Sequence, residues 1–216
     1  MPIQKITEKN FEDLENAFYL VHNNLQLLPD KFCYWRKESS DGRRISKTLQ
    51  SDYRPIFSFV IDLELRNNLA ELRMCLDYHR SIYEFLKPSL TFGWQHKLVL
   101  CQLAAAIYEG LLFDFFEYKT NAKQKDNLTS VIAAEKLSNK STGLGYLLDV
   151  FNKAGFFKNQ TWKNYLDDIN HLRNTIHPKS LNSVYASHMS NKVVRAPIDE
   201  LIKNLDKFIL LIQKKY

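Results

Sequence analysis

With 216 residues, 45% of them hydrophobic and 13% aromatic, the chain has enough apolar material for one sizeable core, which excludes a disordered or low-complexity protein. Three cysteines, Cys33, Cys75 and Cys101, are odd in number and form no CxxC pair, so neither a disulfide scaffold nor a zinc ribbon is indicated, and a reducing cytoplasm is expected. The net charge of +6 lies entirely in residues 151–216, which hold 11 Lys/Arg against 5 Asp/Glu, whereas residues 1–150 hold 19 of each sign. A basic region of this kind suits a phosphate-bearing or acidic partner, and it equally suits scattered solubilising lysines.

The first segment, "MPIQKITEKNFEDLENAF", carries acids early and has no apolar h-region, so it does not read as a signal peptide. Phe11, Leu14, Phe18, Val21, Leu25 and Leu28 recur at three- and four-residue steps, which predicts a one-sided helix over 7–28 that stops at Pro29. Periodicity then fails up to Pro55. This polar stretch, turn-rich around Asp41-Gly42, reads as a long connection with room for short elements, and its Arg43-Arg44 pair reads as solvated loop in preference to a nucleic-acid contact.

Regular structure returns over 56–86, where Ile61, Leu65, Leu69, Leu72, Leu76 and Tyr83 share one face. His79 falls in that register and reads as a hydrogen-bonded core histidine, and Arg66-Asn67 has no histidine after it that would give it a functional partner. A third helix over 91–118 is apolar on most sides and is expected at the centre of the fold. Its run from Leu98 to Phe116 approaches membrane-spanning length, but Gln102, Glu109 and Asp114 interrupt it, so a buried helix without membrane contact is expected. Shorter helices are predicted over 128–139 and 143–154, the second closed by Gly155. Another starts from a cap at Asn159 or Thr161 and runs to His177, where Pro178 ends it. After an irregular stretch over 179–196, Pro197 opens a final amphipathic helix with Lys214 and Lys215 at its end, where the helix dipole favours cations.

The long, helix-period runs make the expected fold all-α, a helical bundle. Within it, "NHLRNTIHPKS" at 170–180 differs from its surroundings. At about 100° per residue, Trp162, Tyr165, Leu166, Ile169, Leu172 and Ile176 form the buried arc of their helix. Arg173 falls inside that arc, His177 at its edge, Asn174 further round, and His171 on the opposite side. A guanidinium aimed at a core needs a partner. Two readings follow. In one, Arg173 pairs with a carboxylate of the central helix, Glu109 or Asp114, and His177 ends the helix. In the other, His177 exchanges a proton with a ribose hydroxyl or leaving oxygen while Arg173 steadies charge on phosphorus and Asn174 holds a phosphate oxygen or orients the histidine. A metal-dependent phosphohydrolase is disfavoured because the six histidines are dispersed; Asp167 and His171 read as a surface pair.

The string "LRNTIHP", with "WKNYLDDIN" and "LGYLLDVFNKAGFF" before it, resembles the HEPN superfamily of small α-helical domains, whose signature is an Arg, often followed by Asn, Asp or His, and a downstream His near the end of a late helix. The resemblance covers roughly 56–216, which divides the chain into an N-terminal helix and irregular connection at 1–55 and a HEPN-like helical domain at 56–216. Three residues separate Arg173 from His177, a shorter step than the signature normally has. The resemblance implies metal-independent RNA cleavage with no cofactor, by Arg173, Asn174 and His177 with Glu109 as the acidic residue facing them, often in a site shared across a homodimer. It implies a role in toxin–antitoxin pairs or antiviral defence, with an antitoxin or other protein partner, or else a non-catalytic domain that binds RNA, nucleotide or protein.

Overall fold

The computed structural model describes residues 34, 36–86, 90–118, 127–136, 143–157, 160–174, 193 and 196–216. The helix expected over 7–28 lies outside them. Within them the protein is an all-α bundle, as its helix-period sequence implies. Its elements are a short hairpin, β1 (Arg36–Glu38) and β2 (Arg44–Ser46), and the helices α1 (Leu63–Leu86), α2 (Leu90–Tyr118), α3 (Asn127–Lys136), α4 (Leu144–Lys153), α5 (Gln160–Asn174) and α6 (Ile198–Gln213).

The long connection folds into the hairpin and two tight helical turns. The strands pair antiparallel, Lys37 opposite Ile45. Gly42 turns the chain between them with φ of 78°, a left-handed conformation open to glycine at little cost. Arg43 pairs at 2.5 Å with Asp41. A π-type turn over Leu49–Tyr53 and a 3-10 turn over Arg54–Phe57 follow, and Tyr53, Phe57 and Val60 enter the same core as the helices.

The first long helix begins later than expected, because Asp62 caps it. Its carboxylate accepts from the Leu65 backbone N–H at 2.9 Å and from the Tyr118 hydroxyl at 3.0 Å. Those hydrogen bonds favour the ionised form and hold its pKa below the usual carboxylate value. Ile61 therefore precedes the helix and is 51% exposed, off the buried stripe on which its spacing places it, while Leu69 and Leu76 are fully buried. Arg66 bends back and donates through Nε to the Val60 carbonyl at 3.0 Å, a local structural role.

The central position of α2 follows from its composition. Leu100, Ala104, Ile107, Leu111, Leu112 and Phe115 are buried on several sides of it, and α1, α4, α5 and α6 all pack against it. Each fully buried Leu, Ile or Phe side chain among these contributes roughly 1.5–3 kcal/mol. Gln95–Tyr118 is long and apolar enough to cross a membrane by length and composition, and 56% of its most apolar window is buried by the neighbouring helices. Asp114, fully buried on this helix, accepts from the backbone N–H groups of Ile61 at 3.1 Å and Asp62 at 3.0 Å, and from the Tyr216 hydroxyl. It thus ties the entry to α1 and the C-terminal residue to the centre of the bundle.

A second polar knot lies between α1 and α6. Arg73, 8% exposed, stands 3.4 Å from Asp77 and 2.5 Å from Asp206, while the Tyr53 hydroxyl donates to Asp77 at 3.1 Å. The end of α4 has the expected glycine stop: Gly155, with φ of 70°, lets Phe156 N–H donate back to the Phe151 carbonyl at 2.9 Å. Pro197 stands at the N-cap of α6, and Lys214 at its C-cap.

Candidate functional site

The side chains around the motif are positioned by three consecutive residues of α2 that meet three different helices. Tyr108 is buried, its ring edge-on to Phe208 of α6 at 5.0 Å between centroids. Gly110 receives α1: a Cβ there would stand 2.9 Å from Leu69 Cδ2, so only glycine accepts the approach without displacement. Glu109, between them, faces α5.

On α5, Leu166, Ile169 and Leu172 are fully buried, and Trp162 and Tyr165 pack beside them, the arc that the spacing predicts. The helix sits close to α4, because Gly145 leaves room where a Cβ would stand 2.9 Å from Asn170 Nδ2. One residue past Leu172, about 100° further round, Arg173 leaves the core edge and meets Glu109, with Nη1 2.6 Å from Oε2. The two side chains are 38% and 22% exposed, so the pair lies at the surface of the bundle. At that exposure the ion pair contributes about 1 kcal/mol or less. Arg173 is also in the last turn of α5, where a cation complements the helix dipole.

Of the two carboxylates that could have met Arg173, the structure selects Glu109; Asp114 is committed to backbone and Tyr216. Asn174 is the last residue of α5 and is exposed, and His171 is exposed one turn earlier. Asp167 pairs with Lys163 at 2.6 Å rather than with His171. His177, Ile176 and Pro178 lie outside the described residues, so the candidate acid/base is not placed beside the Arg173–Glu109 pair.

The chemistry open to this pair follows from the guanidinium. Its planar fork carries five N–H donors, and one bond to Glu109 leaves others for a second acceptor such as a phosphate oxygen. Glu109 fixes the orientation of the fork and offsets its charge. Among the described residues, no three His, Cys, Asp or Glu side chains stand together in an arrangement that could hold a metal ion.

A separate cavity of about 310 Å³ opens between α5 and α6, lined by Thr161, Asn164, Asp168, Glu200 and Leu201 among others. Asp168 precedes Arg173 by five residues, about 140° round the helix, so the cavity and the ion pair occupy different faces of α5. Elsewhere, His79 stands with its ring 5.5 Å from that of His96, whose Nε2 lies 3.0 Å from the His79 carbonyl. Nδ1 of His79 is buried with no hydrogen-bond partner among the described residues, which departs from the bonded core histidine that the sequence suggests. Burial, with a smaller contribution from His96, lowers its pKa below the usual 6.5.

The site therefore belongs to a class that can be stated in structural terms: a surface Arg–Glu pair at the C-terminal end of a late helix in an all-α bundle. No family model, curated protein or solved structure matches the chain.

Proposed function

We propose that the end of α5 is the phosphate-handling site of a HEPN-like protein that acts on RNA, as a metal-independent endoribonuclease in toxin–antitoxin or antiviral defence. The observation that carries this reading is the ion pair itself. Arg173 is held at 2.6 Å by Glu109 from the central helix, yet it stays more than a third exposed, where a substrate phosphate can reach it. At that exposure the pair adds little to stability, and it presents an oriented guanidinium with free donors to solvent.

In this reading Arg173 binds the scissile phosphate and stabilises the extra charge of the transition state. Glu109 is a positioning residue that fixes the guanidinium. His177, three residues beyond Asn174, takes the proton of the 2′-hydroxyl. The 2′-oxygen then bonds to phosphorus as the bond to the 5′-oxygen breaks, and the leaving 5′-oxygen takes a proton from water while His177 returns its proton to solvent. The products are a 2′,3′-cyclic phosphate and a 5′-hydroxyl. Asn174 holds a phosphate oxygen or orients the histidine, and a second copy of the chain brings a second motif to a shared site.

A second reading is favoured by two features of the same residues: Glu109 already neutralises Arg173, and the Arg173-to-His177 step is short. In it, a non-catalytic helical dimer binds RNA, nucleotide or a protein partner through this surface. Incubation of the purified protein with mixed RNA in EDTA separates the two. The nuclease reading expects cleavage that His177→Ala and Arg173→Ala each reduce by about 100-fold or more. RNA binding without cleavage supports the second reading, and equal cleavage by wild type and both variants contradicts the first.

A further inference from the structure

The solvent face of α6 carries a line of cations that nothing in the bundle uses. Lys203, Lys207 and Lys214 are all exposed, and at 100° per residue they fall within an arc of about 40°, spread over roughly 17 Å of helix axis. Leu210, 54% exposed, lies on the same face between them. Among the described residues, none of the three lysines has an ion-pair or hydrogen-bond partner.

Two of the three acids that border the line are paired with α1. Asp206 is drawn to Arg73 of α1 at 2.5 Å, and Asp199 pairs with Arg80 of the same helix. Glu200 lies on the other flank, at the cavity between α5 and α6. The arginines of α1 therefore neutralise two of the three acids of α6, and its lysines form a positive strip with Glu200 on one flank, in the part of the chain that holds all the net charge.

We propose that this face of α6 is a docking strip for the sugar–phosphate backbone of a single-stranded RNA. Charge complementarity selects the occupant. The strip offers flexible ammonium groups in a row, with no pocket and no fixed hydrogen-bond pattern, and a polymer that repeats one negative group along its length is what such a row binds. An anionic membrane is a poorer fit. A helix that lies on a bilayer needs a broad apolar face, and the apolar face of α6, including Leu201, Leu205, Phe208 and Ile212, is already buried in the core. The strip extends the RNA reading to a second surface and rests on charge alone, with no dependence on chemistry at Arg173.

The test uses the full chain and a fluorescent single-stranded 2′-O-methyl RNA, which cannot be cleaved through its 2′-oxygen. Fluorescence anisotropy over a range of salt concentrations compares wild type, the triple variant Lys203→Gln/Lys207→Gln/Lys214→Gln, and Arg173→Ala. Removing three phosphate contacts should weaken binding roughly tenfold or more and lower the slope of log affinity against log salt by about 2. Arg173→Ala should lower that slope by less than 1. An unchanged thermal midpoint for the triple variant establishes that folding is intact. Equal affinity and slope for wild type and the triple variant would overturn the proposal. So would absent RNA binding, or binding to phosphatidylserine vesicles in preference to the RNA. Because the probe is uncleavable, a failure of the nuclease reading leaves this result unaltered.

Discussion

Replacing Asp114 by Ala should be among the most damaging single changes in the bundle. The wild-type carboxylate is fully buried and accepts from the Ile61 and Asp62 backbone N–H groups and from the Tyr216 hydroxyl. Alanine leaves three donors without an acceptor, and each buried donor so stranded costs about 1–3 kcal/mol. The exposed edges around Ile61 let water recover some of this, so the net loss is about 4 kcal/mol. For a chain of this size that lowers the thermal midpoint by roughly 8–16 °C. Asp114→Asn keeps one oxygen acceptor and should lose about half as much. Thermal unfolding followed by circular dichroism at 222 nm gives both values. If Asp114→Ala unfolds within about 1 kcal/mol of wild type, the role assigned to Asp114 as the joint between α2, the entry to α1 and the C-terminus is refuted.

Three further outcomes follow from the same structure. Arg73→Met leaves Asp77, among the described residues, only Tyr53 and the more distant Lys47, at 3.6 Å, as side-chain partners, and should cost about 3 kcal/mol in urea unfolding; adding Asp77→Asn should restore part of it. His79 has its pKa lowered in the fold, so the unfolded chain binds the extra proton first. The stability due to neutral His79 is complete above about pH 6.5 and is lost as pH falls through that value towards the folded pKa. Urea midpoints should therefore decline between pH 7.5 and 5.5 more steeply for wild type than for His79→Gln. Gly155→Ala forces a left-handed residue at φ of 70° with no steric contact within 4 Å, so its cost should be the backbone term alone, about 1 kcal/mol.

The parts of the fold written in short-range spacing were legible. The arc of α5, the apolar girth of α2 and the Gly155 stop each depend on residues a few positions apart, and each stands where the spacing puts it. Spacing alone left Glu109 and Asp114 both open, because both sit on the central helix and only the tertiary packing decides which one faces α5; it was the resemblance that named Glu109. Ile61 shows the limit of periodicity: it keeps step with Leu65 and Leu69, but Asp62 caps the helix behind it, and Phe57 at the end of the 3-10 turn and Val60 just after it fill the core instead. The Arg73–Asp206 pair joins positions 133 apart, a distance no local pattern encodes. The Asp167–His171 pairing failed for a local reason, since Lys163, at the i−4 position, offers Asp167 a full positive charge. The lysine line on α6 carried a sequence signal, the steps from Lys203 to Lys207 to Lys214, but its meaning depended on where Asp199 and Asp206 point.

The claim that the end of α5 processes RNA is tested most directly by the end groups of a single defined oligonucleotide incubated with the protein in EDTA. Mass spectrometry of the fragments should show 2′,3′-cyclic phosphate and 5′-hydroxyl ends with wild type, and Arg173→Ala should leave the oligonucleotide intact over the same period. An intact oligonucleotide with wild type, or the same fragments at the same rate from Arg173→Ala, would contradict it.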